Sequence, residues 1–382
     1  MRIAFLCNGL EPGRDGVGDY TRRLAAECIR QGHDCRLVGL SDSEKTTIED
    51  QLCDGIQIEC LRCGVDLSWP ERFQRARDYL ALFEPDWISL QFVPYGFNTK
   101  GIAWRVARDL QPVIAGRPLH VMFHELWIGF GEHAPWKERI VGALQWVAIF
   151  RMLRALKPRV VNTSNSTYLE LLKTGGVSAV ELPLFGTIPV TEIAPERSLP
   201  PEVLAAGVTG ERSQWWVAIT FGTLHPEWQP EPLTGILLRA AKRAGKRICW
   251  IAAGRLGAVG EGIWRKMKRD YGDEIVFVKS GEQSAEQISA LFQIADFGVA
   301  SSPWNLMGKS SSAASMLDHG LPIIVTREGG KTVVSATAAT LGDSLFHRCD
   351  ETLEAKLVEG LPRREPARRV HEICARFINA LR

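Results

Sequence analysis

The protein has 382 residues, a length that favours two domains, and its 46 Lys and Arg against 44 Asp and Glu give a formal net charge of +2. With 45% hydrophobic and 24% charged residues, the composition is that of a globular protein, which excludes collagenous, coiled-coil and disordered chains and a polyanion-binding tail. The apolar stretch at 141–150 is too short to span a bilayer, which takes about 20 residues. The first residues predict a strand rather than a signal peptide, and nine scattered Cys indicate reduced thiols, so we expect a cytoplasmic protein.

The start of the chain predicts a β-α-β unit. An apolar strand at 2–7 precedes a glycine-rich loop at 9–18, a helix at 20–30 and a second strand at 35–40. Strands and helices continue to alternate through the first half of the chain. The further elements predicted there are strands at 87–92, 119–123 and 159–163 and helices at 99–110 and 136–156. Such alternation predicts a parallel sheet with helices on both faces.

A second alternation follows a segment without periodicity. Between 183 and 214 Pro, Glu, Ser and Gly dominate, which is typical of a linker. The strands predicted after it are 215–221, 247–252, 275–278, 297–300 and 322–325. We therefore predict an α/β fold with two Rossmann-like parallel-sheet domains facing each other across a cleft. Ligands bind such sheets beyond the carboxyl ends of the strands.

The predicted boundaries follow from these patterns. They are an amino-terminal domain at 1–185, a linker at 186–213, a carboxy-terminal domain at 214–363 and a terminal amphipathic helix at 364–382.

The first loop ends in Gly16-x-Gly18 at the predicted helix start, which is not the G-x-G-x-x-G dinucleotide fingerprint. Unpaired backbone N–H groups and the positive end of a helix favour an anion or a closely approaching acceptor. A phosphate or an acceptor could therefore closely approach Gly16 and Gly18. A turn that merely requires glycine torsion angles explains the same loop.

Three side chains follow the strand at 119–123. His124, at the mouth of the sheet, is placed to donate to a substrate hydroxyl or carbonyl, although a structural His would occupy the same position. Glu125 can accept from a hydroxyl, and Trp127 offers an apolar face on which a sugar ring can stack. In the second half Arg255 follows a strand and can bind a phosphate bidentately, or it is an ordinary surface Arg.

The segment 301–322 predicts a phosphate cradle. A strand ends, the chain turns at a Pro, and a helix of small residues opens with Gly308, Lys309, Ser310 and Ser311, groups that contact anionic oxygens at a helix start. The upstream glycine of a Walker loop is missing. An ordinary Ser-rich helix cap is the alternative. Trp304, in the same segment, is a candidate sugar contact.

Several short motifs together resemble the GT-B glycosyltransferases, and among them the retaining, family-4-like group. The motifs are GVGDYT at 16–21, QGHD at 31–34, HE at 124–125, AD at 295–296, SSP at 301–303 and HGLPII at 319–324. The resemblance covers nearly the whole chain and is strongest in the second half.

That resemblance implies a hexosyltransferase-like enzyme that moves a sugar from a nucleotide-diphosphate donor, a UDP- or GDP-sugar, to an acceptor hydroxyl with retention. It implies an acceptor site in the first domain, a donor site in the second, a last helix that crosses back to the first, and no metal or other cofactor. The acceptor is a sugar, a polysaccharide, a lipid-linked molecule or another small molecule.

The resemblance also implies roles for the candidate residues. His124 becomes the catalytic candidate that contacts the transferred sugar, while the leaving phosphate takes the acceptor's proton. The donor diphosphate is assigned to Gly18, Arg255, Gly308, Lys309, Ser310 and Ser311, the base and ribose to Ser280, Gln283 and Asp318, and the acceptor or sugar to Gly16, Glu125, Trp127 and Trp304.

The sequence departs from the family at two places. Met307 and Ser315 stand where the family usually carries two Glu residues, and His225 and Glu227 occupy the loop where it often carries an Arg and a Lys. Either the protein is a divergent branch that grips the diphosphate in another way, or catalysis is weakened or lost. A non-catalytic nucleotide-sugar-binding protein and a sugar-nucleotide epimerase therefore remain alternatives. A dinucleotide oxidoreductase fits less well because of the glycine spacing.

Two further patterns bear on partners. The stretch 136–159 carries six basic residues against one Glu, so it could touch anionic lipid headgroups, although its apolar centre favours a buried helix with basic ends. A peripheral contact with the inner membrane face is thus an alternative to a purely cytoplasmic protein. No basic strip with interleaved aromatic residues predicts nucleic-acid binding. The sequence leaves the oligomeric state open.

Overall fold

The computed structural model describes residues 1–43, 45–131, 134–191, 199–329 and 344–382, which form two compact units. Among these residues, unit 1 consists of Met1–Thr187 with Val370–Arg382, and unit 2 of Ile188–Gly329 with 344–369.

The sheet of unit 1 has eight strands among the described residues. They are β1 (Arg2–Cys7), β2 (Asp34–Ser43), β3 (Thr47–Cys53), β4 (Ile56–Gly64), β5 (Trp87–Phe92), β6 (Leu119–Phe123), β7 (Val160–Thr163) and β8 (Val180–Glu181). Their order is β3-β4-β2-β1-β5-β6-β7-β8, and the pairing of β3 with β4 is antiparallel while the other pairings are parallel. The strand order reverses between β1 and β5, which opens a crevice at their carboxyl ends.

The sheet of unit 2 has six described strands, all parallel. They are β9 (Trp215–Phe221), β10 (Arg247–Ala253), β11 (Ile275–Gly281), β12 (Phe297–Pro303), β13 (Ile323–Arg327) and β14 (Phe346–Arg348). The order β11-β10-β9-β12-β13-β14 is the doubly wound Rossmann order, with its switch point between β9 and β12. The predicted α/β fold class with two Rossmann-like domains is therefore confirmed.

Helices cover these sheets. In chain order the described helices are α1 (Gly16–Arg30), α2 (Trp69–Phe83), α3 (Pro94–Phe97), α4 (Val106–Ile114), α5 (Trp136–Leu156), α6 (Ser166–Thr174), α7 (Pro201–Ala205), α8 (Glu231–Ala244), α9 (Gly257–Tyr271), α10 (Ala285–Ile294), α11 (Ser311–Asp318), α12 (Leu353–Glu359) and α13 (Arg369–Leu381). Because helices lie on both faces, the central strands are buried on both faces and consist of continuous apolar runs, such as Trp87–Phe92.

The last helix packs in unit 1. The ring of Phe377 on α13 lies 5.7 Å from that of Phe5 on β1, and the Cys374 and Cys28 sulfurs are 3.4 Å apart. Apolar residues three and four apart form the buried face of α13, as expected for an amphipathic helix. No helix in the described part of the chain is long and apolar enough to cross a membrane.

Two segments differ from the sequence prediction. The β3–β4 hairpin was not predicted, and it turns through Asp54 and Gly55, which both have positive φ. Of the predicted linker, the described residues 199–213 contain α7 and bury Val203 and Val208 in the core of unit 2. The apolar residues of this stretch, at 203–206 and 208, form a run too short to show a helical or strand periodicity, so the sequence pattern does not reveal this packing.

Candidate functional site

A small pocket with a cavity volume of about 20 Å³ lies at the switch point of unit 2, between the carboxyl ends of β9 and β12 and the start of α11. Its polar lining consists of the hydroxyl groups of Thr220, Thr223, Ser301, Ser302, Ser310 and Ser312. This is the position at which doubly wound sheets bind their ligands. Hydroxyl groups can donate hydrogen bonds to the oxygens of an anion.

Glycines let the loops of this edge approach each other. Gly222 and Gly254 have φ of 81° and 78°, a region that side chains rarely adopt. The Gly222 amide donates to the Ala253 carbonyl oxygen at 2.9 Å, and the Thr223 hydroxyl donates to the Arg255 carbonyl oxygen at 3.3 Å. The loops after β9 and β10 are thereby joined beside the pocket.

The start of α11 faces the same pocket. Ser310 is its N-cap, and the Ser310 hydroxyl accepts from the Ala313 amide at 3.2 Å and lies 3.3 Å from the Ser312 hydroxyl. The positive end of a helix favours a negative charge at this point. Gly308 and Lys309 belong to the short 3₁₀ segment Trp304–Lys309 that leads into α11, and Ser311 is the first residue of the helix. The structure therefore brings the predicted phosphate cradle to the switch point.

Three basic groups lie near this edge. The His225 amide donates to the Ser301 hydroxyl at 3.0 Å, and Lys309 directly precedes Ser310. Partial burial lowers the pKa of the His225 imidazole, and the positive charges of Arg327 and Lys309 lower it further. Arg327, at the end of β13, pairs with Glu227, and its Nη1 is buried without a hydrogen-bond partner in the described residues. The sequence analysis missed Arg327 and the pocket hydroxyls of Thr220, Thr223 and Ser312. Arg327, Thr220 and Thr223 lie at or just after the ends of predicted strands, and this position is the signal that could have identified them.

Arg255, Ser280 and Gln283 lie at the ends of β10 and β11, farther along the same edge. Arg255 forms a 2.8 Å ion pair with Glu282, the Ser280 hydroxyl donates to a Glu202 carboxylate oxygen at 3.3 Å, and the Gln283 amide donates to the Ser280 carbonyl oxygen at 2.7 Å. The ion pair of Arg255 is solvent-exposed, and such a pair contributes little, so an incoming phosphate could replace Glu282. The roles predicted for these residues stay predictions.

Two predicted ligand contacts are placed unfavourably in unit 2. Asp318 ends α11, about 10 Å along the helix axis from Ser311, and is buried 3.8 Å from Arg369, which does not suit a ribose contact at the pocket. Trp304 is buried, and the Arg348 guanidinium lies 4.0 Å from its ring centre, so this ring face does not offer a stacking surface for a sugar.

The structure also places Met307 and Ser315, the two residues at which the resemblance leads one to expect Glu. Met307 is buried in the core of unit 2, and the Ser315 hydroxyl donates to the Ser311 carbonyl oxygen at 2.9 Å. Neither side chain can supply a carboxylate.

In unit 1, His124 directly follows β6 and is buried. Its Nε2 lies 2.9 Å from the Gln91 Oε1, and its ring meets the edge of Tyr20 with centroids 5.0 Å apart. Burial lowers the pKa of His124 to about 3, so the imidazole is neutral near pH 7. The Tyr20 hydroxyl is buried without a hydrogen-bond partner among the described residues.

A buried chain of hydrogen bonds sets the tautomer of His124. The Asn162 amide donates to the Val180 carbonyl oxygen at 2.8 Å, so its Oδ1 accepts from the Nε2 of His120 at 3.0 Å. Burial lowers the pKa of His120 to about 4, and its unprotonated Nδ1 accepts from Ser89 at 2.8 Å. Ser89 in turn accepts from the amide of Gln91 at 2.8 Å.

The Gln91 Oε1 is left to accept from His124, which therefore carries its proton on Nε2. The Nδ1 of His124 is an acceptor, opposite to the donor role that the sequence suggested.

The neighbours of His124 have different environments. Trp127 is buried, and its ring lies 5.9 Å from Phe150 on α5, so it packs in the core rather than presenting a face for sugar stacking. Glu125 is half-buried. Its predicted acceptor contact stays a prediction.

Two carboxylate side chains lie at the end of the glycine-rich loop of unit 1 and the start of α1. Asp15 caps α1 and Asp19 lies in its first turn, and burial raises the pKa of Asp15. A Cβ at Gly18 would collide with the Gly9 carbonyl oxygen, so close packing of helix on loop explains this glycine. These charges oppose an anion at Gly16 and Gly18, whose predicted ligand contacts stay predictions.

The described residues contain no group of three or more His, Cys, Asp or Glu side chains arranged to hold a metal ion.

Solved structures show what this architecture is similar to. A sucrose-phosphate synthase from Thermosynechococcus elongatus aligns over 100% of this chain and 96% of its own, with a TM-score of 0.58 and 12% identity. Anabaena HepE, solved in complex with UDP and glucose, aligns over 100% and 99%, with a TM-score of 0.58 and 14% identity.

A candidate UDP-N-acetylglucosamine 2-epimerase from Listeria monocytogenes aligns over 100% and 95%, with a TM-score of 0.56 and 10% identity. At these identities the likeness shows the fold, which is that of the GT-B glycosyltransferases. The sequence matches no family model and no curated protein.

Proposed function

We propose that this protein is a metal-independent, family-4-like glycosyltransferase that moves a sugar from a nucleotide-diphosphate donor to an acceptor hydroxyl with retention. The observation that carries the proposal is the hydroxyl-lined pocket of unit 2, which lies at the start of α11. Lys309 directly precedes the pocket residue Ser310, and the backbone amide of His225 donates to the hydroxyl of the pocket residue Ser301 at 3.0 Å. The GT-B fold and the UDP in the HepE complex support the same donor chemistry.

The groups around the mouth of this small pocket suit a leaving diphosphate bound at the strand ends. Negative charge grows on the phosphate oxygens as the bond to the sugar breaks, and fixed positive groups and oriented N–H dipoles stabilise that charge more than they stabilise the bound donor. Lys309 and Arg327 would supply the charge, and the α11 start and the Ser310 and Ser312 hydroxyls would supply dipoles. Arg255 could exchange Glu282 for a phosphate oxygen.

His124 has a defined part in this proposal. Because its Nε2–H is occupied by Gln91, its Nδ1 would accept a hydrogen bond from a sugar hydroxyl. The leaving phosphate would take the acceptor's proton, so no side chain is needed as a dedicated base.

An epimerase is the second candidate, because a candidate epimerase has the same fold. Incubation with UDP- and GDP-sugars, with and without sugar and lipid-linked acceptors, separates the two functions. We expect nucleotide release that requires an acceptor and a glycosylated product of unchanged anomeric configuration.

If the donor sugar is isomerised in the absence of an acceptor, the protein is an epimerase. Thermal stabilisation by the donor with no turnover would identify a binding protein and contradict the proposed transfer. Addition of EDTA tests the metal independence, and a loss of turnover would refute it.

A further inference from the structure

The outward side of α5 in unit 1 carries an unusual surface. We define the basic-apolar face by the side chains Trp136, Ile140, Leu144, Val147, Arg151 and Arg154. The four apolar members are 66%, 53%, 41% and 42% exposed, respectively, whereas a surface helix normally turns polar residues outward.

The helical repeat makes these residues one stripe. The apolar members are four, four and three residues apart, so they lie within a quarter of the helix circumference. Arg151 and Arg154 continue the same stripe towards the end of the helix and are exposed. The opposite side, which includes Gly142, Gln145 and Met152, is buried against the rest of unit 1.

The charged side chains on and beside this stripe are all basic. Lys137 and Arg139 flank the stripe, and both are exposed. Glu138 is the single acidic residue of α5, and the helical repeat places it away from the stripe. Apolar side chains beside basic ones, with a Trp at one end, match the interface of an anionic bilayer, where Trp lies at headgroup depth and Lys and Arg meet lipid phosphates.

We propose that the basic-apolar face docks the protein on the surface of an anionic lipid bilayer. A second copy of the chain would place basic side chains against a face with no acidic member, which disfavours self-association. Membrane docking does not require turnover, so it can be tested separately from the proposed transferase activity.

Flotation with lipid vesicles tests the proposal. The full-length protein is mixed with vesicles of phosphatidylcholine alone or of equal parts phosphatidylcholine and phosphatidylglycerol. We expect binding that is at least ten-fold stronger to the anionic vesicles and that weakens with added salt.

The double variant Ile140→Ser, Val147→Ser should lose binding to both kinds of vesicle by ten-fold or more. The variant Arg151→Gln, Arg154→Gln should weaken binding to the anionic vesicles alone, by about five-fold per Arg, because one basic side chain near such a surface contributes about 1 kcal/mol.

The matched control is Leu82→Ser, Val259→Ser, which removes two exposed apolar side chains outside the face. It should bind as the unchanged protein does, and all variants should keep the same thermal unfolding temperature. Equal binding to both vesicle types, or undiminished binding of the Ile140→Ser, Val147→Ser variant, would overturn the proposal. The proposal would also be overturned if the unchanged protein bound no vesicles and formed a dimer in analytical ultracentrifugation that the Ile140→Ser, Val147→Ser variant did not form.

Discussion

Lys309 ends the 3₁₀ segment before α11, close enough to His225 to lower the pKa of that imidazole. We predict that Lys309→Ala weakens donor affinity or turnover ten-fold or more, because a hydrogen bond to a charged group contributes roughly 1.5 to 3 kcal/mol. Calorimetric titration with the donor and initial rates at saturating acceptor measure the two quantities.

The matched control for this variant is Lys268→Ala, an exposed Lys near the far end of α9. It should leave both quantities unchanged. If Lys309→Ala binds and turns over the donor like the unchanged protein, Lys309 has no part in gripping the diphosphate.

At the residue scale, sequence reasoning identified side chains that sit at strand ends but not what surrounds them. The sequence predicts that His124 donates a hydrogen bond to a substrate. In the structure its Nε2–H donates to Gln91, so Nδ1, an acceptor, is the ring nitrogen left for a ligand. The sequence predicts that Trp127 stacks on a sugar ring and that Trp304 contacts a sugar, but both side chains are buried. Burial and hydrogen-bond partners come from residues far away in the chain, and no local pattern contains them.

Helix α13 shows how an element at the end of the chain stabilises unit 1. Phe377 is fully buried and its ring lies against both Phe5 and His120. We predict that Phe377→Ala lowers the free energy of unfolding by about 3 to 5 kcal/mol, because it removes a large buried ring and leaves a cavity. Urea unfolding followed by circular dichroism measures the change.

The neighbouring variant Arg376→Ala is the control, since this side chain is exposed and its ion pair with Glu372 lies at the surface. It should alter stability by less than about 1 kcal/mol. Equal stabilities of the two variants would show that α13 does not contribute through its buried face.

At the element scale, the sequence predicted the central strands well and the edges poorly. The predicted strands at 2–7, 87–92, 119–123 and 215–221 match β1, β5, β6 and β9 residue for residue. These strands are buried on both faces, so their residues are continuous apolar runs. Strand β3 lies at an edge and is mostly exposed, and a mixed sequence at an edge gives no such signal.

At the scale of the whole molecule, two buried histidines of unit 1 make its stability depend on pH. The pKa of His120 is lowered to about 4 and that of His124 to about 3, both below the ordinary value near 6.5. The unfolded chain therefore binds more protons between these limits, and stability that is complete above pH 6.5 is lost as the pH falls. Each group contributes on the order of 2 kcal/mol between pH 7 and pH 5.

The variant His120→Gln tests this prediction by urea unfolding at the two pH values. It should reduce the loss of stability between the two pH values by about 2 kcal/mol relative to the unchanged protein. A pH dependence that is the same in both proteins would contradict the assignment to this buried imidazole.

For the whole molecule, local periodicity and residue type were enough to predict the two successive alternations of strands and helices and the Gly-Lys-Ser helix start. Which strand ends meet depends on contacts between distant segments. The strand order places β9 beside β12 and so creates the pocket, and β13, next to β12, ends in Arg327. The outward face of α5 could likewise not be predicted, since a helix whose centre is apolar on nearly all sides does not reveal which side is covered. Strand order and burial arise from contacts between distant segments, and a single sequence does not record them.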